Sequence, residues 1–221
     1  MPEFLSVEAY SHYPGETLSP FIGDSRQLLE NFGYAGKDVE AWLTQIAWEP
    51  DGSGFGSSLE PPAALEKVVV NGHTLFAKPI INGWAQESIP QLQEAWVNLT
   101  LAFETQTRRQ NLDIVNSFSA NYAQDHQYQP GVGKAVWSIM RRCTAIFPQT
   151  LVYFTNEAQT GESWNALLTG QEGIWEFEAA LIPHSLVARF IPISDQFAHI
   201  YLPEEVGFAR TTCWSVLPWE E

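Results

Sequence analysis

The stretch that decides the fold runs from Ser88 to Phe147 and opens SIPQLQEAWVNLTLAFE over residues 88–104. Ser88 and Gln91 stand at capping-box spacing, and Pro90 is tolerated in a first helical turn. Leu92, Ala95, Trp96, Leu99, Ala102 and Phe103 then follow a 3.6-residue period, which predicts a helix. Leu112, Val115, Phe118 and Tyr122 extend it or form the next one, because the polar run Glu104–Gln110 permits both. Asp125–Gly133 breaks the pattern with Pro130-Gly131. Lys134–Phe147 predicts a further helix, with Val136, Ile139, Met140, Cys143, Ile146 and Phe147 on one face, Arg141-Arg142 on the other and Pro148 as its stop.

Working outward towards the N-terminus, Phe4–Val7 reads as a short strand. Asp24 or Ser25 can cap a helix over Arg26–Phe32, since a short side-chain oxygen satisfies the first free N–H groups. A second helix is expected over Asp38–Ala47, with Val39, Trp42, Leu43 and Ile46 in register. Residues 50–58 read as a loop by composition. Lys67–Ala77 reads as a hairpin around Asn71-Gly72, a dipeptide suited to a type I′ turn. Towards the C-terminus the period switches to two. Strands are expected over Thr150–Thr155, Ile174–Leu181, Leu186–Ile191, Phe197–Leu202 and Phe208–Val216, the last four as a meander, with a short helix over Ser163–Leu168. The expectation is one α+β domain over residues 1–221. In it a central helical segment packs on a C-terminal antiparallel sheet, joined by an N-terminal helix pair and a hairpin.

With 221 residues, 45% of them hydrophobic and nine Trp, the chain can bury a core without staples. No run approaches a membrane span, and the N-terminus lacks the basic and apolar regions of a signal peptide, so the expected location is the cytoplasm. The net charge of −15 opposes nucleic acid and anionic lipid as partners and favours a basic protein. That charge is segregated. Residues 1–66 carry 11 acids and 2 bases, residues 67–156 carry 5 and 7, and residues 157–221 carry 10 and 2.

Motifs of known chemistry are absent or incomplete. The glycines of residues 52–56 follow an expected helix and precede Pro61-Pro62, which is not the strand-to-helix setting of a dinucleotide site. Gly131-Val132-Gly133-Lys134-Ala135 has Tyr128 and Ala135 where a phosphate-binding loop needs Gly and Ser or Thr. Neither G-x-S-x-G nor H-E-x-x-H occurs, and His12, His73, His126, His184 and His199 are dispersed. Cys143 and Cys213 read as buried small hydrophobes, one on a helix and one in a strand. No catalytic residue, metal or cofactor is assigned. On a strand, Glu176 and Glu178 would share one face at roughly 7 Å, a spacing open to acid–base work but more often a solvated face.

The residues placed at a partner surface are therefore Glu172, Trp175, Glu176, Glu178, Glu204 and Glu205, where acids stand beside an aromatic anchor. In charge pattern, aromatic excess and lack of catalytic signatures the chain is similar in general character to bacterial toxin-immunity proteins. That resemblance implies a non-enzymatic cytosolic protein that neutralises a cognate basic toxin in a tight 1:1 complex, with charge steering its association. The alternative is a hydrolase whose catalytic groups converge only in the fold. A nucleic-acid mimic ranks below both, because the acids are scattered and do not form rows.

Overall fold

The computed structural model describes residues 4–13, 17–59, 66–70, 73–104, 127–128, 131–147 and 149–221. The strands are β1 (Phe4–Tyr13), β2 (Gly54–Ser58), β3 (Glu66–Val70), β4 (His73–Trp84), β5 (Ala95–Glu104), β6 (Leu151–Asn156), β7 (Ala179–Pro183), β8 (Phe197–Tyr201) and β9 (Glu205–Arg210). The helices are α1 (Ser19–Asn31), α2 (Lys37–Leu43), α3 (Val132–Ile146), α4 (Glu162–Thr169) and the single turn α5 (His184–Val187), which runs into a 3₁₀ turn at Ala188–Phe190. All the strands join one nine-stranded antiparallel sheet in the order β2-β4-β5-β1-β6-β7-β9-β8, with β3 also pairing β4.

The α+β class stands, but the sheet is not C-terminal: it draws on the chain from Phe4 to Arg210. The decisive stretch is β5 where a helix was expected. Its apolar positions satisfy two periods at once, and the neighbours choose between them. Val97, Leu99, Leu101 and Phe103 are buried on one face of β5, and Trp96, Asn98, Thr100 and Ala102 point to the other. β1 and β4 flank it along its length, Phe4 opposite Glu104 through Tyr13 opposite Ala95, and Ala77 opposite Phe103 through Trp84 opposite Trp96. Apolar alternation with β-branched and aromatic side chains suits a strand packed on the core by one face, and the polar Asn98 and Thr100 of the other face are buried in hydrogen bonds. The expected cap at Ser88 is a turn, with its N–H and Oγ both donating to Ala85 O. Leu112, Val115, Phe118 and Tyr122, the Asn71-Gly72 turn and Arg108-Arg109 lie outside the described residues.

Other expectations moved in the same direction. The stretch 50–58 ends in β2, and Leu186–Ile191 forms α5 and the 3₁₀ turn. Residues 174–177 are a loop, because β6 ends at Asn156 and the chain turns away at 157–160, which leaves no neighbour to pair with. The C-terminal strands are no meander, since β9 inserts between β7 and β8.

The sheet is covered on both faces. On one, Leu5, Val7 and Ala9 of β1 and Val152 and Phe154 of β6 share a core with Leu28 and Leu29 of α1, Val39 and Leu43 of α2, and Val136, Ile139, Met140 and Cys143 of α3. On the other, Tyr10, Leu151, Tyr153, Ile182, Val206 and Phe208 pack with Trp164 and Leu167 of α4 and with Phe190. Gly207 of β9 is required by α3: a Cβ there would stand 2.3 Å from Cη2 of Trp137.

Candidate functional site

The expected partner residues fall at two places, set apart by β9. Glu205 opens that strand and Arg210 closes it, so at 3.3 Å per residue the two ends stand about 16 Å apart.

At the Arg210 end, the guanidinium is the organiser. Its Nη2 donates to Trp175 O at 2.8 Å, its Nε to Phe177 O at 3.2 Å and its Nη1 to Gln196 Oε1 at 3.0 Å. It also lies 4.9 Å from the centroid of the Phe197 ring. These bonds hold the loop 174–178 against the turn at Asp195-Gln196. The half-buried Trp175 ring packs against Phe177, Phe190, Phe197 and Phe208, with centroids between 4.9 and 5.8 Å away. Glu172, Glu176 and Asp195 are exposed near it, with Glu162 exposed on the first turn of α4, and among the described residues none of the four makes an ion pair.

Glu178 does not belong to that surface. It is buried, accepts from Asn156 Nδ2 at 3.1 Å and from the Cys213 thiol, and has Arg210 Nε at 4.0 Å. The expected pairing of Glu176 and Glu178 on one strand face therefore fails, since one faces water and the other the interior. Cys213 sits in the turn after β9 and not in a strand. Burial, then the Glu178 charge, pushes its thiol far above the ordinary range, so it stays protonated and is a poor nucleophile. Burial alone pushes the Cys143 thiol up to about 12.

At the Glu205 end lies an open cleft of about 720 Å³, lined among others by Arg141, Thr144, Gln149, His184, Ser185 and Glu204. The Glu205 carboxylate is buried, accepts from Arg141 Nη1, and has Thr144 Oγ1 at 3.4 Å. Burial raises its pKa, and Arg141 and Thr144 offset this only in part. Glu204 beside it is exposed. His184 Nε2 is bonded to Leu202 O at 3.0 Å, and among the described residues no hydrogen bond joins it to Ser185. Convergent polar groups are present, but a nucleophile paired with a base is not in place among them.

No protein-family model, curated protein or solved structure matches this chain.

Sequence reasoning missed Glu8, the most deeply placed carboxylate. It faces the β4–β5–β1–β6 side of the sheet opposite the helices α1–α3, and is 1% exposed. Ser6 Oγ donates to Oε1 at 3.0 Å, Tyr10 OH to Oε2 at 2.7 Å and Gly161 N to Oε2 at 3.1 Å, and Thr155 Oγ1 also donates to Oε1. No cation stands among these partners, and burial raises its pKa against the hydrogen bonds that lower it. The signal was Glu8 itself, an acid in a strand where Ser6 and Tyr10 share its face. With its oxygens used this way, Glu8 locks β1 to β6 and to the turn before α4. Among the described residues no group of three or more His, Cys, Asp and Glu side chains is placed to hold a metal ion.

Proposed function

We propose that this chain is a non-enzymatic acidic binding protein that neutralises a cognate basic protein, acting as an immunity protein does towards a secreted toxin. One observation carries the reading: each described arginine is engaged by the protein's own groups, while a set of exposed acids has no cation beside it among the described residues. Arg26 pairs with Glu40, Arg141 with Glu205, Arg142 donates to Asn31 O over the Phe32 ring, Arg189 donates to Leu167 O, and Arg210 holds the Trp175 loop. Glu162, Glu172, Glu176, Asp195 and Glu204 keep their charge towards water without a cation beside them among the described residues. A net charge of −15 so arranged raises the encounter rate with a cationic protein and disfavours polyanions. Trp175 supplies the apolar anchor that rim carboxylates lack.

The hydrolase reading would use the cleft at Glu205, whose polar lining and raised carboxyl fit a reaction site but whose His184 is held by a backbone carbonyl. The test that separates the two is co-purification of the tagged full chain from its native host, followed by co-expression with whatever basic protein is recovered. The binding reading expects an equimolar basic partner whose harmful activity the chain suppresses. Recovery of no basic protein, or undiminished harm from the one recovered, overturns it.

A further inference from the structure

Among the described residues the sheet ends on β8, and one side of that strand, the one facing β9, is paired. The bonds Leu202 N to Glu205 O and Thr211 N to Gln196 O, both 2.9 Å, fix the phase of the β8–β9 ladder. In an antiparallel pair the hydrogen-bonded residues alternate, so residues 196, 198, 200 and 202 turn their backbone groups towards β9. The N–H and C=O groups of His199 and Tyr201 therefore point away from the sheet. The Phe197 N–H, the third in that row, is bonded back to Ser194 O at 3.1 Å. Both His199 and Tyr201 are exposed, and Tyr201, at 67%, is among the most exposed large side chains described.

Natural sheets guard such edges with Lys, Pro or a bulge, because free edges template further pairing. The strand Phe197–Tyr201, FAHIY, has none of these, and its pairing to β9 runs without a break. Its ends carry acids. Asp195 precedes it and Glu204 follows it; both are exposed, without an ion pair among the described residues. Both stand in the turns that flank the strand, so they mark the two ends of about 13 Å of edge, Phe197–Tyr201. A second copy of this chain is a poor occupant. Antiparallel pairing centred on His199 would bring Asp195 of one copy beside Glu204 of the other, and parallel pairing would align like with like.

We infer that β8 is a docking edge for an extended segment of a cationic protein, added as a further strand with Lys or Arg beyond each end. This rests on the binding reading above and names the surface it would use. Main-chain bonds to His199 and Tyr201 would give affinity, and the charges at Asp195 and Glu204 would select the partner and its register.

The probe is a synthetic peptide of alternating Val and Thr with two Lys at each end, added to the full-length chain and followed by backbone amide exchange. The expected result is slowing of exchange at His199 and Tyr201 by about tenfold or more. N-methylating alternate peptide amides, which keeps charge but removes pairing, should abolish it, as should replacing the terminal Lys by Glu. His199→Pro removes an outward N–H and leaves the β9 ladder intact, so it should weaken binding of the same peptide. The methylated peptide tests the same point without any variant. Equal binding by the methylated peptide, or no protection by any peptide, overturns the docking edge, and co-purification then judges the binding reading separately. Protection confined to residues near Trp175 overturns the edge and leaves a cationic partner standing. Concentration-dependent protection of His199 without peptide assigns the edge to a second copy and also overturns the inference.

Discussion

The centre of the sheet and its C-terminal margin treat polar groups in opposite ways. At the centre, Glu8 is withdrawn from water and takes four hydrogen bonds from Ser6, Tyr10, Thr155 and Gly161. At the margin, Glu172, Glu176, Asp195 and Glu204 stay in water, and the backbone of His199 and Tyr201 faces outward. A buried carboxylate without a cation is tolerated only when its oxygens are fully used, because desolvation disfavours the charge. Full use also leaves it nothing to offer a partner. The difference teaches that the inner acid belongs to folding, while the outer ones are left to water and, on the proposed function, to a partner.

The largest expected effect breaks the centre. Glu8→Ala leaves its donors without an acceptor and should cost about 3 kcal/mol or more, read from the urea midpoint. A loss below about 1 kcal/mol would remove Glu8 from the folding account. Glu8→Gln sharpens the same point through pH. The folded carboxyl is raised above its ordinary 4.5, so the native state holds the proton more tightly than the unfolded chain. That contribution is fully present below about pH 4.5 and is lost as pH climbs through the raised folded value. Glu205 shifts in the same direction and adds to the same window. Stability should fall across it in the native protein and fall less steeply in Glu8→Gln; an unchanged slope would contradict the assignment.

Next in size is Gly207→Ala, which drives a methyl into the Trp137 ring and should lower the thermal midpoint by an amount worth about 1–3 kcal/mol. If α3 does not press on β9 there, the change will be near neutral. Smaller again is Arg141→Met at the cleft. Its partner is buried but Arg141 is itself 44% exposed, so the loss should be about 1 kcal/mol. The Glu205 carboxyl should titrate still higher by NMR, since the guanidinium is among the causes that lower it. At the margin, the triple variant Glu172→Lys, Glu176→Lys, Asp195→Lys should change stability by no more than about 0.5 kcal/mol. A large destabilisation would mean those acids serve the fold after all, and the contrast with Glu8 would collapse.

Much of the architecture could be read along the chain. Helix α3 was legible because Val136, Ile139, Met140 and Cys143 make one clean stripe, and all four are buried. β6 and the start of β1 were legible from their composition, and α2 and the second half of α1 from their apolar spacing; α1 begins at Ser19, so Asp24 and Ser25 stand inside it and not at its cap. β5 was not. Trp96, Leu99, Ala102 and Phe103 also fit a helical stripe, and only the neighbouring strands, distant in sequence, decide the matter. The loop at 174–177 misled for the mirror reason: Trp175 and Phe177 alternate like a strand, yet both reach one aromatic cluster without a partner strand. Of the residues expected at a partner surface, local composition anticipated the exposure of Glu172, Glu176 and Glu204 and the half-burial of Trp175. Glu178 and Glu205 were misplaced because burial of an acid depends on Asn156, Cys213 and Arg141, none of them near in sequence. Glu8 was overlooked because the expected strand ended at Val7, which left Glu8 and Tyr10 outside it, whereas β1 runs on to Tyr13.

The most direct test of the central claim is the association rate, as salt is raised, between the full chain and the basic protein that the proposed function expects to co-purify with it. Steering by the uncompensated acids predicts a rate that falls by about tenfold or more between low and high salt, with the triple Lys variant slow throughout. A rate independent of salt, and equal in that variant, would contradict it.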